Sequence, residues 1–219
     1  MRSPLSVLLL VLLSSVMSAK VSDSLLAAGA GKYHKGNYAK SFEIFDAAAG
    51  MARQQKDSAT LIFAYRNLGN ICSQTGRQVE ALDFYQKSVS LSDAAGNLRE
   101  SANTIRNIGA LYGEMGDYKK ALANYNIAET ISITYKDTAS IADCANNKGV
   151  IYEQYLQQYP AAILEYTKAL ELYKKMNNEE RVSIAYNNLG IVYKATGNYE
   201  KAICARSGLR NRLRSYDTS

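Results

Sequence analysis

The chain has 219 residues, of which 47% are hydrophobic and 21% are charged, and its formal net charge at pH 7 is +6. This composition is typical of a folded globular protein and excludes a disordered one. Residues 201–219 contribute +4 of that charge, so residues 1–200 carry only +2. A nearly neutral body lacks the continuous basic surface that contacts phosphates, and we therefore expect no nucleic-acid partner.

The first 19 residues have the pattern of a secretory signal peptide. Arg2 is followed by an apolar run over residues 5–17 and then by the small residues Ser18 and Ala19. The apolar run is shorter than the roughly 20 residues that a membrane-spanning helix needs, which argues against an uncleaved anchor. The sequence predicts cleavage near Ser18 or Ala19, a secreted or periplasmic mature chain, and no stable membrane insertion after cleavage.

A motif of Asn, one further residue and Gly recurs along the rest of the chain. Its glycines are separated by steps of 40, 40 and 41 residues, and the asparagines keep the same steps. A fixed period of this size indicates an architecture of repeated units. The glycines are Gly69, Gly109, Gly149 and Gly190, and the asparagines are Asn67, Asn107, Asn147 and Asn188.

The unit near 98–136 shows most clearly what each repeat contains. Its apolar residues recur at spacings of three and four over 105–115, which predicts a helix. Gly116 ends that helix, and Asp117 is expected to cap a second amphipathic helix. A Gly inside a helix costs about 1 kcal/mol relative to Ala, so its recurrence at the register of Gly109 predicts a close contact between the two helices.

Five such units follow one another, near residues 22–55, 58–95, 98–136, 138–177 and 179–203. The single 41-residue step comes from one residue inserted in the segment EQYLQQ, which we expect in the turn between two unchanged helices. The fifth unit departs from the pattern after Cys204, where Arg206 stands at an aromatic position and Gly208 interrupts the helix. We expect 204–219 to be a basic irregular tail, either a native cap or the result of a truncation or frame shift.

The segment NIGALYGEMGDYKKALANYNIA, residues 107–128, resembles the tetratricopeptide repeat family. The family pattern is L-G-x-x-Y, then G-x-Y-x-x-A, then an aromatic residue four positions later. The resemblance covers residues 20–203 and implies an all-α fold, a right-handed α-solenoid of stacked antiparallel helix pairs. The pitch of 40 exceeds the usual 34, which indicates the long-repeat variety of the family with longer helices.

The residues offer little for catalysis. His34 is the single histidine, so a Ser–His–Asp or Cys–His arrangement has no candidate set. Three cysteines, Cys72, Cys144 and Cys204, have no metal-site spacing, and Cys72 stands where other units carry Tyr, as a core residue does. We predict no enzyme activity, no cofactor and no metal site.

The repeated asparagines instead suggest a partner-binding surface. Each lies about 200° around the helix from the packing glycine. The resemblance implies that this side lines a concave groove, where a carboxamide can pair with both the N–H and the C=O of an extended peptide. The alternative is that the asparagines bond to the next repeat and hold the stack together. The predicted site consists of the four asparagines with Arg66, Arg106, Asn146, Asn187, Gln74, Glu114, Gln154 and Lys194.

The sequence thus predicts a protein–protein interaction module, an adaptor or scaffold that binds a peptide or protein in a concave groove. A second hypothesis is a truncated or frame-shifted sensory portion of a longer bacterial signal-transduction protein that has lost its transmembrane and output domains. A third is the binding of a small ligand or glycan. The end of the array after the broken fifth unit also predicts self-association through that end.

Overall fold

The computed structural model describes the backbone of residues 22–216 and the side chains of residues 22–207. Over that backbone range the chain consists of helices joined by short turns and contains no strand. The predicted signal peptide lies outside the described residues. The helices form stacked antiparallel pairs, so the all-α fold class predicted from the sequence is confirmed.

Each pair joins two helices through a short link, and the chain divides into two compact units, one up to Glu100 and one from Ser101 onwards. The elements are α1 (22–34), α2 (Tyr38–Gln55), α3 (Ser58–Gln74), α4 (Gln78–Ala94), α5 (Leu98–Glu114), α6 (Tyr118–Thr134), α7 (Thr138–Val150) with a π-helical turn (Ile151–Tyr155), α8 (Tyr159–Lys175), α9 (Glu179–Ala195) and α10 (Tyr199–Tyr216).

Local sequence explains where these helices begin and end. Oδ1 of Asp117 accepts a hydrogen bond from the backbone N–H of Lys120 at 3.0 Å, so the predicted N-cap of α6 is confirmed. Just before it, Gly116 has φ of +79°, a conformation that glycine adopts without a steric penalty. Asp57, Asp137 and Asn178 cap α3, α7 and α9 in the same way.

The predicted close approach at the helical glycines is also confirmed. In three helix pairs the glycine of the first helix lies directly under a tyrosine ring of the second. A Cβ added to the glycine would lie 2.5 Å from the ring of Tyr85 at Gly69, 2.9 Å from that of Tyr125 at Gly109, and 2.6 Å from that of Tyr166 at Gly149. The recurring glycine is therefore a packing requirement, because any larger residue would push the ring away.

Two expectations about irregular segments are wrong. The inserted residue of EQYLQQ does not sit in the turn: α7 stops at Val150 and its last turn becomes the π turn Ile151–Tyr155, which absorbs one extra residue inside the helix. Residues 204–216 are not irregular, because α10 continues to Tyr216. A single Gly208 costs too little to end a helix otherwise rich in arginine and leucine.

Candidate functional site

The first helices of three successive pairs, α5, α7 and α9, share a connected set of polar side chains. Asp143 on α7 is its centre. Its Oδ2 lies 3.5 Å from Nη1 of Arg106 on α5, and its Oδ1 lies 3.4 Å from Nη1 of Arg181 on α9. The hydroxyl of Tyr173 donates to the same Oδ1 at 2.8 Å. One carboxylate therefore holds groups from three other helices.

Further hydrogen bonds extend this set along the same helices. Arg106 donates to Oγ of Ser140 at 3.3 Å, and that hydroxyl lies 3.3 Å from Oδ1 of Asn103. Nδ2 of Asn188 donates to Oδ1 of Asn146 at 3.1 Å, which links α9 to α7. We call this set the α5–α7–α9 polar row. Its members are Asn103, Arg106, Ser140, Asp143, Asn146, Arg181 and Asn188.

The predicted asparagines have different partners. Asn188 and Asn146 are brought together, which supports the stack-holding interpretation for that pair. Asn67 instead donates to the carbonyl of Phe63 in its own helix at 2.8 Å. Asn107 and Asn147 are half-buried on α5 and α7, beside members of the row. The asparagines are therefore not four equivalent groups facing solvent.

The remaining predicted residues fall into two classes. Arg66 is half-buried, and its Nε lies 3.2 Å from Oε2 of Glu100. Exposed side chains belong to Gln74, Glu114, Gln154, Asn187 and Lys194. A partner can reach the exposed class directly, whereas Arg66 and Arg106 are already paired with carboxylates.

Sequence reasoning missed Asp143, Arg181 and Tyr173. One signal was available for the first of them: the equivalent positions of the other units carry Asp23, Phe63, Asn103 and Ile184, so an acid or amide stands at this register in three of the five units. The arginine and tyrosine partners come from different registers of the neighbouring helices. The repeat alignment therefore points to Asp143 without indicating what it binds.

A buried ionic cluster joins α6, α7 and α8. Lys148 has a side chain only 6% exposed, and its Nζ lies 2.9 Å from Oε2 of Glu129 and 2.8 Å from Oε1 of Glu165. Nζ of Lys168 lies 2.8 Å from Oε1 of Glu129. At the register of Lys148 the other units carry Ala28, Leu68, Ile108 and Leu189. This unit has thus replaced an apolar contact by two positive and two negative charges.

The electrostatics of the cluster follow from this pairing. Burial by itself would raise the pKa of Glu129, but the hydrogen bonds from Lys168 and Lys148 outweigh it and hold that pKa below 4.5. Burial would lower the pKa of Lys148, and the bonds to Glu165 and Glu129 again outweigh it and raise the pKa above 10.5. Both groups therefore keep their charges in the folded chain at neutral pH.

We expect the cluster to make stability depend on pH. A carboxyl whose pKa is lowered by folding stabilises the fold above its ordinary pKa of 4.5, and that stability is lost as the pH falls through the folded value. The pKa of Lys148 is raised by folding, so its ammonium stabilises the fold below the ordinary lysine pKa of 10.5. That stabilisation is lost as the pH rises through the pKa of the folded state. Denaturant unfolding should show that the Glu129→Gln variant has a lower free energy of unfolding than wild type, and that this difference shrinks as the pH is lowered. A difference in free energy that does not depend on pH would contradict this.

The described residues offer few groups for nucleophilic catalysis, metal binding or membrane insertion. Burial raises the pKa of Cys144 to about 12 and also raises that of Cys72, so both remain thiols at neutral pH and are poor nucleophiles. Among residues 22–207 no group of three His, Cys, Asp or Glu side chains is placed to hold a metal ion. None of the described helices combines the length and apolar character needed to cross a membrane.

Comparison with known sequences agrees with the helix pairs. A family model described as tetratricopeptide repeat matches residues 21–94, 100–175 and 137–205. Tetratricopeptide repeat protein 29 of Trypanosoma brucei brucei (strain 927/4 GUTat10.1) is 23% identical over 192 residues. That match covers 81% of this chain and 39% of the relative, so the chain spans about two fifths of that protein's length.

Solved structures show the same architecture. The crystal structure of BtubC (BKLC) from P. vanneervenii has a TM-score of 0.83 at 19% identity, over 96% of this chain and 86% of that one. A Rap protein complexed with competence and sporulation factor has a TM-score of 0.74 at 14% identity, over 88% of this chain and 54% of that one. Identities this low establish the fold alone. With its helical repeat pairs and a family match over most of its length, the chain belongs to the tetratricopeptide repeat family.

Proposed function

We propose that the chain is a non-enzymatic binding module that holds a peptide or protein segment against the α5–α7–α9 polar row, as an adaptor or scaffold. The observation that carries this proposal is the row itself, in which the first helices of three successive pairs present polar groups that are joined by hydrogen bonds and ion pairs between the helices. The tetratricopeptide repeat fold suits such a role. The related Rap structure, which contains competence and sporulation factor, adds support from the same fold.

The row suits an extended segment for physical reasons. Its side chains are held by cross-helix bonds, so less conformational freedom is lost when a partner binds. Packed helices lie about 8–10 Å apart, and an extended strand advances about 3.3 Å per residue, so neighbouring helices meet roughly every third residue of the partner. Each added hydrogen bond contributes about 0.5–1.5 kcal/mol net. Selectivity then depends on the exposed residues nearby, which include Asn187 and Lys194.

Asn107 and Asn147 lie beside the row on α5 and α7, where their amides can add hydrogen bonds to a bound segment. We expect the double variant Asn107→Ala and Asn147→Ala to weaken peptide binding by about tenfold, the effect of losing one or two net hydrogen bonds. Peptides would first be selected with the wild-type chain from a displayed library of random dodecapeptides, and affinities then measured by calorimetry. Asn126→Ala, on an exposed position of α6, is the matched control and should change nothing. Unchanged affinity together with a lower unfolding midpoint would instead assign these asparagines to holding the stack.

We further propose that the mature chain is secreted or periplasmic, on the basis of its first 19 residues. Mass spectrometry of the chain recovered from a periplasmic extract should find an N-terminus near residue 19 or 20. A chain that keeps Met1 and remains in the cytoplasm would contradict this. The sensory-portion hypothesis stays a prediction, tested by reading the downstream DNA in the other two frames for a continued repeat.

A further inference from the structure

The last helix pair contains an open cleft. It lies between α9 and α10 and has a volume of about 480 Å³. This size falls within the range of pockets that bind small molecules or single side chains with their flanking groups. The residues that matter for its chemistry are Gly190, Ile191, Lys194, Tyr199, Ile203 and Arg206.

The cleft is open because one ring is missing. In three preceding pairs a tyrosine, Tyr85, Tyr125 or Tyr166, covers the helical glycine within 2.9 Å of where a Cβ would lie. Arg206 occupies that register in the last pair, and its side chain is exposed. A Cβ added to Gly190 would lie 3.9 Å from the carbonyl oxygen of Ala202 and from Cβ of Ala205, which are the nearest atoms among the described residues. The space over Gly190, which an aromatic ring fills in the three preceding pairs, is therefore not filled by Arg206.

The lining is both apolar and cationic. Ile191, Tyr199 and Ile203 are 47%, 64% and 65% exposed, which is unusual for side chains of this size so close together. Lys194 and Arg206 stand beside them, and none of the described residues that line the cleft is acidic. An occupant that satisfies both parts needs an apolar or aromatic group next to a negative charge.

Charge also decides between the possible occupants. Two copies of this chain meeting through the same cleft would bring Lys194 and Arg206 of each copy together, and the other residues of 201–219 carry a further net charge of +3 in each copy. Like charges at one interface oppose association. A partner with acidic residues gains from the same charges. The cleft is thus better matched to an acidic segment than to a second copy.

We propose that the α9–α10 cleft binds an acidic peptide segment that carries a phenylalanine or tyrosine. Its ring occupies the space over Gly190 that a tyrosine fills in the three preceding repeats. A carboxylate of a neighbouring acidic residue pairs with Lys194 or Arg206. The proposal does not rest on the α5–α7–α9 polar row, because the cleft is a consequence of the residue at position 206.

The decisive experiment is a titration of the ¹⁵N-labelled full chain with two amidated pentapeptides, acetyl-DEFED and acetyl-DEAED, followed by NMR. We expect the phenylalanine peptide to shift the amide signals of Gly190, Ile191 and Ala202, and the alanine peptide to bind at least about tenfold more weakly. Added salt should weaken binding. Equal binding of the two peptides, or shifts confined to other helices, would overturn the proposal.

Arg206→Tyr is the sharpest variant, because it restores the ring of the other repeats. This variant should close the cleft and raise the unfolding midpoint. It should also bind the phenylalanine peptide about tenfold or more weakly than wild type, and unchanged binding by the folded variant would overturn the proposal. Lys194→Ala should also weaken binding, since it removes a charged partner without changing the cleft's shape. Lys201→Ala is the control, because Lys201 lies over the ring of Tyr193 and does not line the cleft.

Two further measurements separate this site from the alternatives. The double variant at Asn107 and Asn147 should leave the pentapeptide's affinity unchanged, so failure of the polar-row proposal does not imply failure here. Sedimentation velocity over a range of concentrations should show no dimer that depends on the cleft. A concentration-dependent dimer abolished by Arg206→Tyr would assign the cleft to a second copy and overturn the proposal.

Discussion

Replacing Lys148 by Met should lower the free energy of unfolding by about 3–5 kcal/mol, the usual cost of breaking a buried ion pair from one side. The side chain of Lys148 is 6% exposed and neutralises Glu129 and Glu165, whose side chains are 10% and 15% exposed. Without the ammonium, Glu165 loses the partner of its Oε1 and Glu129 keeps only Lys168. Denaturant titration followed by circular dichroism measures the effect at neutral pH.

The matched control comes from the same cluster. Lys168→Met removes an equal charge, but its side chain is 42% exposed and Glu129 retains Lys148, so the loss should stay within about 1 kcal/mol. A fourfold variant that takes the residues of the preceding repeat, Lys148→Ile with Glu129→Val, Glu165→Asn and Lys168→Ile, should recover most of the stability. A Lys148→Met chain as stable as wild type would contradict the cluster's role.

Gly149→Ala should also destabilise the chain, by about 1–3 kcal/mol, although alanine favours helix over glycine by about 1 kcal/mol. The new Cβ would lie 2.6 Å from the ring of Tyr166. That ring is fully buried, and its hydroxyl donates to Oε2 of Glu153 at 2.9 Å, so it is held at its far end and has little room to move. Thermal and denaturant unfolding of the variant should both show the loss.

Gly190→Ala is the comparison that isolates the ring. The residue has the same register in its repeat, but the added Cβ would meet only ordinary contacts at 3.9 Å. The higher helix propensity of alanine is then the only effect, and the free energy of unfolding should rise by up to about 1 kcal/mol. If both glycine variants shifted stability in the same direction, the tyrosine ring could not be what selects glycine at this register.

The sequence determined the repeated helix pairs because the interactions that specify them are local. Helical periodicity, the cap at Asp117 and the turn at Gly116 depend on residues within about four positions of one another, so they can be recognised without the fold. The packing glycine was predictable for a related reason. A costly residue kept at one register through several units indicates a contact that every unit repeats.

The inserted residue near Tyr155 and the course of the chain after Gly208 were harder to predict, because neither feature recurs in other repeats. The residue inserted near Tyr155 could enter either the turn or the helix with similar local cost, and packing against α8 and the neighbouring helices selects the π turn. Gly208 looked like a helix end by itself, yet α10 continues past it to Tyr216. Local propensities differ by about 1 kcal/mol in such cases, which is too little to decide between alternatives.

Only the tertiary structure decided which polar side chains meet. Asn188 bonds to Asn146 across 42 positions, and Lys148 bonds to Glu129 across 19, and neither separation is a multiple of the repeat period. The helix pattern shows which face a side chain occupies, but its partner depends on how far the next helix is displaced and rotated. The sequence by itself therefore determined the repeat and its helices. The polar row, the buried cluster and the α9–α10 cleft follow from packing between residues distant in the chain.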